Sequence, residues 1–234
     1  MKKIGFVAFL FVILLVTAVL IVAEPHLSAT LLVLTIGVVL MIVGGLAKKF
    51  IVGGAVIGAV GIVGFMISGA ISYVADRLTY WRDPWSDATG KGFQTIQSLL
   101  AIGSGGILGR GIGQSRQKYL WVPEPHNDFI FSIVCEELGL IGAVIIIILF
   151  CLLVWRGFYV AMHAKDKFGS LLAIGLTFQV GLQAMLNIWV VTNTIPNTGI
   201  SLPFFSYGGT SLLILLCEMG LVLSVSRGSD IEKT

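Results

Sequence analysis

Charge is what this sequence has least of. Only 12% of its 234 residues are Asp, Glu, Lys or Arg, about half the share of an ordinary soluble domain. The formal net charge is +3 and the basic residues are scattered rather than gathered in a stripe, which excludes the electrostatic footprint of a nucleic-acid binder. Cysteine is scarce and odd in number. Cys135, Cys151 and Cys217 all fall inside apolar runs with no C-x-x-C spacing, so they read as buried free thiols rather than as a metal or redox centre.

What the chain has instead is hydrocarbon: 56% hydrophobic residues and a mean hydropathy of +0.98. Water is not its main solvent. A helix needs about 20 apolar residues to cross a bilayer, and six stretches suit that length: about 4–23, 28–46, 50–72, 129–157, 168–192 and 209–226. The first follows Lys2 and Lys3 as a secretory signal would. Its apolar run of about 20 residues is longer than a signal core and flows into further spans, so it reads as a retained helix. The predicted fold class is an all-α polytopic membrane protein. Three spanning helices fill 1–72, a large loop fills 73–127, and three more helices with a short tail fill 128–234.

Basic residues near the ends of spans set orientation. With the six segments threaded alternately, Lys2, Lys3, Lys48, Lys49, Arg156, Lys165, Lys167, Arg227 and Lys233 share one side. That side is expected to be the cytoplasm, with both termini in it. The other side receives a turn at Glu24–Ser28, the large loop and a second loop over about 193–208. Arg77, Arg82, Lys91, Arg110, Arg116 and Lys118 fall in the large outer loop, which the rule weighs little because it is long. Its aromatics, including Tyr80, Trp81, Trp85, Phe93 and Trp121, argue for a folded loop seated on the membrane surface. A short amphipathic helix is expected at Thr95–Ile107.

Ionisable groups inside a span are costly, about 2.5–3.5 kcal/mol at its centre by insertion scales. Glu136 and Glu137 lie about two turns into the fourth span and Glu218 mid-way along the sixth. The plain reading of each is a carboxyl held by neighbouring helices or kept protonated. Gln179, Gln183 and Asn187 recur at helical spacing and put three amides on one face, as interhelical hydrogen bonding would require.

The densest polar cluster is Val122-Pro-Glu-Pro-His-Asn-Asp-Phe-Ile-Phe131, where the loop meets the fourth span. Pro123 and Pro125 hold the residues before them extended, so a helix begins after Pro125. Asn127 or Asp128 then suits ordinary N-capping. Asp128 also lies beside Glu124 and His126 within reach of the loop's basic residues, an arrangement able to deprotonate a hydroxyl while cations receive a departing phosphate. The helix N-terminus and those cations favour its ionised form. Both readings stand at this point.

Two glycine-bearing segments invite a phosphate-loop reading. Gly103-Ser-Gly-Gly-Ile-Leu-Gly-Arg-Gly-Ile-Gly113 matches neither G-x-x-x-x-G-K-[ST] nor G-x-G-x-x-G, and close backbone packing is the simpler expectation. Pro203-Phe-Phe-Ser-Tyr-Gly-Gly-Thr210 opens the sixth span. Its first N–H groups can bind an anion or simply let the helix start close to its neighbours.

These motifs together resemble the SEDS family, the FtsW, RodA and SpoVE group of peptidoglycan glycosyltransferases. The resemblance is carried by Asp83-Pro-Trp-Ser-Asp87, Gly92-Phe-Gln-Thr-Ile-Gln-Ser98, the glycine run, Gly113-Gln-Ser-Arg-Gln-Lys118, Pro123-Glu-Pro-His-Asn-Asp-Phe-Ile-Phe131, Glu136-Glu-Leu-Gly139 and Thr198-Gly-Ile-Ser-Leu-Pro-Phe-Phe-Ser-Tyr-Gly-Gly209. The wording is closest to the SpoVE and FtsW branches. Two positions depart from the family pattern: Glu24-Pro-His-Leu27 stands for Gln-Pro-Asp-Leu, and Asn127 for Thr in His-Thr-Asp.

The resemblance implies a ten-helix fold of which these six spans are the last six. The first four, with a Pro-Ser-Glu stretch lining the same cavity, are expected to be missing, which makes the chain a truncated or split product, inactive alone. It implies lipid II polymerisation in the bacterial plasma membrane, serving division, sporulation or cell shape, beside a class B penicillin-binding transpeptidase. Asp128 would be the catalytic base. Glu124, His126, Arg110, Arg116, Lys118, Gln94, Gln97, Ser206 and Gly208 would contact the undecaprenyl-diphosphate-linked glycan, with a divalent cation, Mg or Mn, as a possible aid. A lipid II flippase and a non-catalytic scaffold are the alternatives.

Overall fold

The structure is a computed structural model that describes residues 4–23, 27–47, 50, 53, 71–90, 92–117 and 127–229. Its long elements are all helices, as the composition requires. Helix α1 is Ile4–Ala23 and α2 is Leu27–Val43. Helix α2 stops at a left-handed Gly45 (φ 86°), with the Leu46 N–H returning 2.9 Å to the Met41 carbonyl, a Schellman-type ending that satisfies an otherwise orphaned acceptor. The third predicted span, 50–72, falls almost wholly outside the described residues. Helix α3, Ile71–Arg82, begins at the end of that stretch and runs past the hydropathic boundary into the large loop expected from the sequence.

Two further helices organise that loop. Asp83 caps a short 3-10 turn, Pro84–Asp87, by accepting from the Trp85 N–H. Helix α4, Phe93–Gly105, lies two residues upstream of the amphipathic segment expected from the sequence, and buries Ile96, Gln97, Ser98 and Ala101. Helix α5 is Ile130–Met162, α6 is Lys167–Val191 and α7 is Gly209–Gly228. These last three are long and apolar enough to cross a membrane.

Packing among the spans depends on small residues, since lipid offers no hydrophobic drive to bring apolar helices together. Thr177 of α6 sits against Gly157 of α5 where a Cβ would have to be, and Leu14 of α1 occupies the same place against Gly37 of α2. Phe129, Phe131, Ile133 and Ile146 meet Val180, Ala184 and Val191 in the main core, joined by Leu202 and Leu215. The outward faces stay apolar. Only 17% of the apolar window in α5 and 11% of that in α7 is buried within the chain, the reverse of a helix in a soluble core. The chain is thus a polytopic, all-helical membrane protein. Cys151 and Cys217 correct the expectation of burial: both are exposed on these outward faces, and only Cys135 is buried.

Helix α5 is interrupted where the sequence shows only a continuous apolar run. Gly139 has φ 66° and ψ −167°, which breaks the helix two turns from its start. A break at membrane depth is tolerated only where other protein groups satisfy the freed backbone, and the glycine run does so. Leu140 and Ile141 donate to the carbonyls of Gly106 and Ile107, while Arg110 and Gly111 donate to those of Glu136 and Glu137, at 2.9 to 3.3 Å. Gly109 and Gly139 touch backbone to backbone, leaving no room for a Cβ on either. Close packing, rather than phosphate binding, is the role the structure gives this run.

Candidate active site at the head of helix α5

Asp128 stands two residues before α5. The cap position itself belongs to Phe129, whose side chain makes no capping hydrogen bond, so Asn127 and Asp128 stand just ahead of the cap rather than at it. Their main chain is instead pinned from two sides. Asn187, fully buried on α6, donates one amide hydrogen to the Asp128 carbonyl (2.7 Å) and another to the Ile200 carbonyl (2.8 Å). Ser206 donates its hydroxyl to the Asn127 carbonyl at 2.8 Å and accepts the Leu202 N–H at 2.8 Å. The head of α5 and the segment 197–206 are therefore one assembly.

The Asp128 carboxylate faces Gly199. Its Oδ2 lies 3.6 Å from the place where a Cβ on Gly199 would stand. Gly199 has φ 68°, a conformation held by an Asn-x-Gly turn in which Asn197 Oδ1 accepts the Gly199 N–H at 3.0 Å. Asn197 is fixed in turn by Gln94 of α4, whose Oε1 accepts from Nδ2 at 3.2 Å, and by Arg77 of α3, which donates to its carbonyl at 2.7 Å. Trp81 and Asn193 exchange side-chain to main-chain hydrogen bonds, and Ser98 donates to the Val191 carbonyl. Both loop helices thus dock on the segment that faces Asp128. Among the described residues, Asn187 Oδ1 and Thr198 Oγ1 are buried without a hydrogen-bond partner, and both flank this spot. Buried polar groups of that kind mark a place where water or a bound polar molecule completes the hydrogen bonding.

The other sequence candidates divide. Gln94 acts on Asn197, and Gln97 is buried on the same helix. Gly208 precedes α7 and caps it without a side chain. Arg110 is engaged by Glu136, with Nη1 at 3.6 Å from Oε1, and donates Nε to the Ser104 carbonyl. Arg116 offers its N–H to Glu136 and leaves its side chain exposed. Glu124, His126 and Lys118 lie outside the described residues. Glu136 and Glu137 are held, as expected of carboxyls within a span, but by residues 113–117 of the large loop rather than by helices. Glu136 accepts from Ser115 Oγ (2.5 Å) and from the Arg116 and Gln117 N–H groups, and Glu137 from the Gly113 and Ser115 N–H groups.

Below the pinned segment a cleft of about 330 Å³ opens between α6 and α7, lined by Gln179, Gln183, Ser201, Thr210, Ser211 and Glu218. Gln179 Nε2 donates to Glu218 at 3.2 Å. The amide stripe on α6 therefore splits its work: Asn187 builds the head of the site, while Gln179 and Gln183 line the cleft. Sequence reasoning passed over Asn197, although Asn197-Thr-Gly199 carries the Asn-x-Gly signal of a tight turn.

Comparison with known proteins bears on this geometry. The family model described as "Cell cycle protein", covering FtsW, RodA and SpoVE, matches residues 2–231. The chain belongs to the FtsW/RodA/SpoVE family. It is 46% identical over 211 residues to stage V sporulation protein E of Bacillus subtilis, covering 90% of this chain and 57% of that protein. It is 42% identical over 222 residues to the probable peptidoglycan glycosyltransferase FtsW of a Geobacter species, covering 95% and 60%. Among solved structures it superposes with TM-score 0.75 and 31% identity on a chain of a peptidoglycan synthase complex that coordinates polymerization and crosslinking, covering 99% of this chain and 64% of that one. The rod shape determining protein RodA of Thermus thermophilus gives TM-score 0.62 and 27% identity over 98% of this chain and 59% of that one. The chain thus spans somewhat under two thirds of the FtsW/RodA/SpoVE proteins it matches.

Proposed function

We propose that this chain carries the catalytic part of an inverting peptidoglycan glycosyltransferase that polymerises lipid II at the outer face of the bacterial plasma membrane. One observation carries the reading: a carboxylate at the head of a spanning helix, held through its own main chain by Asn187 and turned toward a side-chain-free Gly199. Support comes from its relatives, named as glycosyltransferases or a sporulation protein, and from a structural neighbour in a peptidoglycan synthase complex.

The chemistry is a single displacement. The donor sugar is α-linked to a polyprenyl diphosphate and the product is β-linked, so the anomeric centre inverts and one base suffices. Asp128 takes the proton of the acceptor hydroxyl as that oxygen bonds to the anomeric carbon, and the diphosphate departs from the opposite face with the bonding electron pair. A carboxylate is a weak base at neutral pH, so positioning supplies much of its effect. Arg116 and Lys118 are proposed to receive the leaving charge. Arg110 is better suited to holding the loop, given its place on Glu136. Glu124, His126, Gln97, Ser206 and Gly208 remain proposed substrate contacts. No group of three or more His, Cys, Asp or Glu side chains is gathered among the described residues, but Mg usually keeps several waters and binds substrate phosphates, so a departing diphosphate would supply most of its ligands while Asp128 stays free to act as base. Such a cation would neutralise the leaving group.

The end bearing Asp128 is proposed to face outward, the residue 163–166 end the cytoplasm, and a class B penicillin-binding transpeptidase to be the partner. The test is a reconstituted complex of a full-length family member carrying the equivalent of Asp128→Asn. Polymer formation from lipid II is expected to fall about 10²–10⁴-fold; undiminished polymerisation removes Asp128 as base. The polar cleft beneath the site favours a second reading, lipid II transport, because transporters place polar groups at mid-bilayer. Under that reading, Gln183→Leu in the same complex abolishes lipid II movement across vesicles while leaving polymerisation intact.

A further inference from the structure

At the end of the bundle remote from Asp128, helices α6 and α7 part to leave a second cleft of about 330 Å³. It lies where α6 begins and α7 finishes, since Val225 packs beside Gly169. From Leu140 to Met162, α5 alone separates the two ends by about 35 Å at 1.5 Å per residue. The walls are apolar and open: Phe168 is 76% exposed and Leu221 48%, with Leu172 and Val225 beside them. The rim is polar, with Lys165, Asp166 and the Ser224 hydroxyl. Lys167 opens α6 and Arg227 lies in the last turn of α7.

The charge around this rim is mainly basic, with Lys165, Lys167 and Arg227 against the single Asp166 among the described residues. Asp166, the nearby acid, is turned into the helix, where its carboxylate accepts the Gly169 N–H at 2.8 Å and caps α6. No carboxylate pairs with Lys165 among the described residues. A cleft with hydrocarbon walls and a cationic, hydroxyl-bearing rim, at the end of spanning helices, matches a molecule with an anionic head and an acyl tail. Basic pockets between transmembrane helices recognise lipid head groups in this way.

We propose that this cleft is a binding site for an anionic glycerophospholipid, with the phosphate at Lys165 and Ser224 and one acyl chain along Phe168, Leu172, Leu221 and Val225. The lipid fills the apolar notch that the diverging helices leave and ties the start of α6 to the end of α7. The site is independent of the glycosyltransferase reading, and it would stand if Asp128 had no catalytic role.

The test uses the full chain, purified in a neutral detergent and followed by thermal unfolding and by lipid retained per chain in native mass spectra. Dioleoyl phosphatidylglycerol is titrated against dioleoyl phosphatidylcholine and against inorganic phosphate. Phosphatidylglycerol is expected to raise the midpoint and to stay bound as one retained lipid, whereas the other two do neither. Lys165→Glu is expected to weaken retention about tenfold or more, because each basic residue near an anionic lipid gives roughly a fivefold preference. Ser224→Trp, which fills the cleft and leaves every charge in place, is expected to abolish retention. Equal retention of phosphatidylcholine, an equal shift with inorganic phosphate, or undiminished phosphatidylglycerol binding by both variants overturns the proposal. Both substitutions are at exposed positions, and the midpoint in phosphatidylcholine reports whether either disturbs the fold itself.

Discussion

Asn187 is committed through both of its donors. It is fully buried, and its amide hydrogens go to main-chain carbonyls, those of Asp128 and Ile200. Replacing it by Leu keeps the volume and strands two acceptors, each at about 1–3 kcal/mol when buried without a partner. Asn187→Leu is therefore expected to lower the thermal midpoint of the detergent-solubilised chain and to speed hydrogen exchange across 198–202. If neither moves, the pinning of Asp128 by Asn187 is not what holds the site together. That Asp128 stands at the head of a helix was legible in the sequence, because two prolines and a helix start are local signals. Its partners were not. Asn197 and Gly199 lie far along the chain from Asp128, and no periodicity records which turn will fold back onto which helix head.

At the scale of elements, the break in α5 governs how the outer loop is attached. Hydropathy reads about 129–157 as one uninterrupted span, because an average over a window does not register a single glycine with positive φ. The pair Glu136-Glu137 was the available hint, and its cause is now physical: two carboxylates near the break collect N–H and hydroxyl donors from 113–117. Glu136→Ala removes the acceptor for the Ser115 hydroxyl, for the Arg116 and Gln117 amides and for the Arg110 guanidinium at once. It should destabilise the chain by roughly 1–3 kcal/mol, with the loss concentrated in faster amide exchange at Arg116 and Gln117. Gly139→Ala should do comparable damage by another route, since Gly109 leaves no space for the added methyl and the φ is unfavourable for alanine. Protection at 113–117 that survives both changes would mean that the loop is held by something other than this latch.

For the whole molecule, sidedness decides whether any of the proposed chemistry reaches its substrate. Helix α6 contributes 25 residues, about 37 Å of helix at 1.5 Å per residue, against a hydrocarbon core of about 30 Å. Thr194 and His163 flank it at opposite ends and both are exposed, so they must sit in different aqueous phases. Basic residues near span ends are expected to put His163 on the cytoplasmic side, and Thr194 would then share the outer side with Asp128. Cys151 and Cys217 are exposed only along the spans, where lipid shields them from charged reagents; changing both to Ala gives a clean background. In intact bacterial cells carrying that background, Thr194→Cys should react with a membrane-impermeant maleimide and His163→Cys should react only after lysis. The reversed pattern would place Asp128 in the cytosol, away from any extracellular polymer. It would also carry the Lys165 cleft to the outer leaflet, leaving the two sites still on opposite faces, since their separation follows from the helices alone.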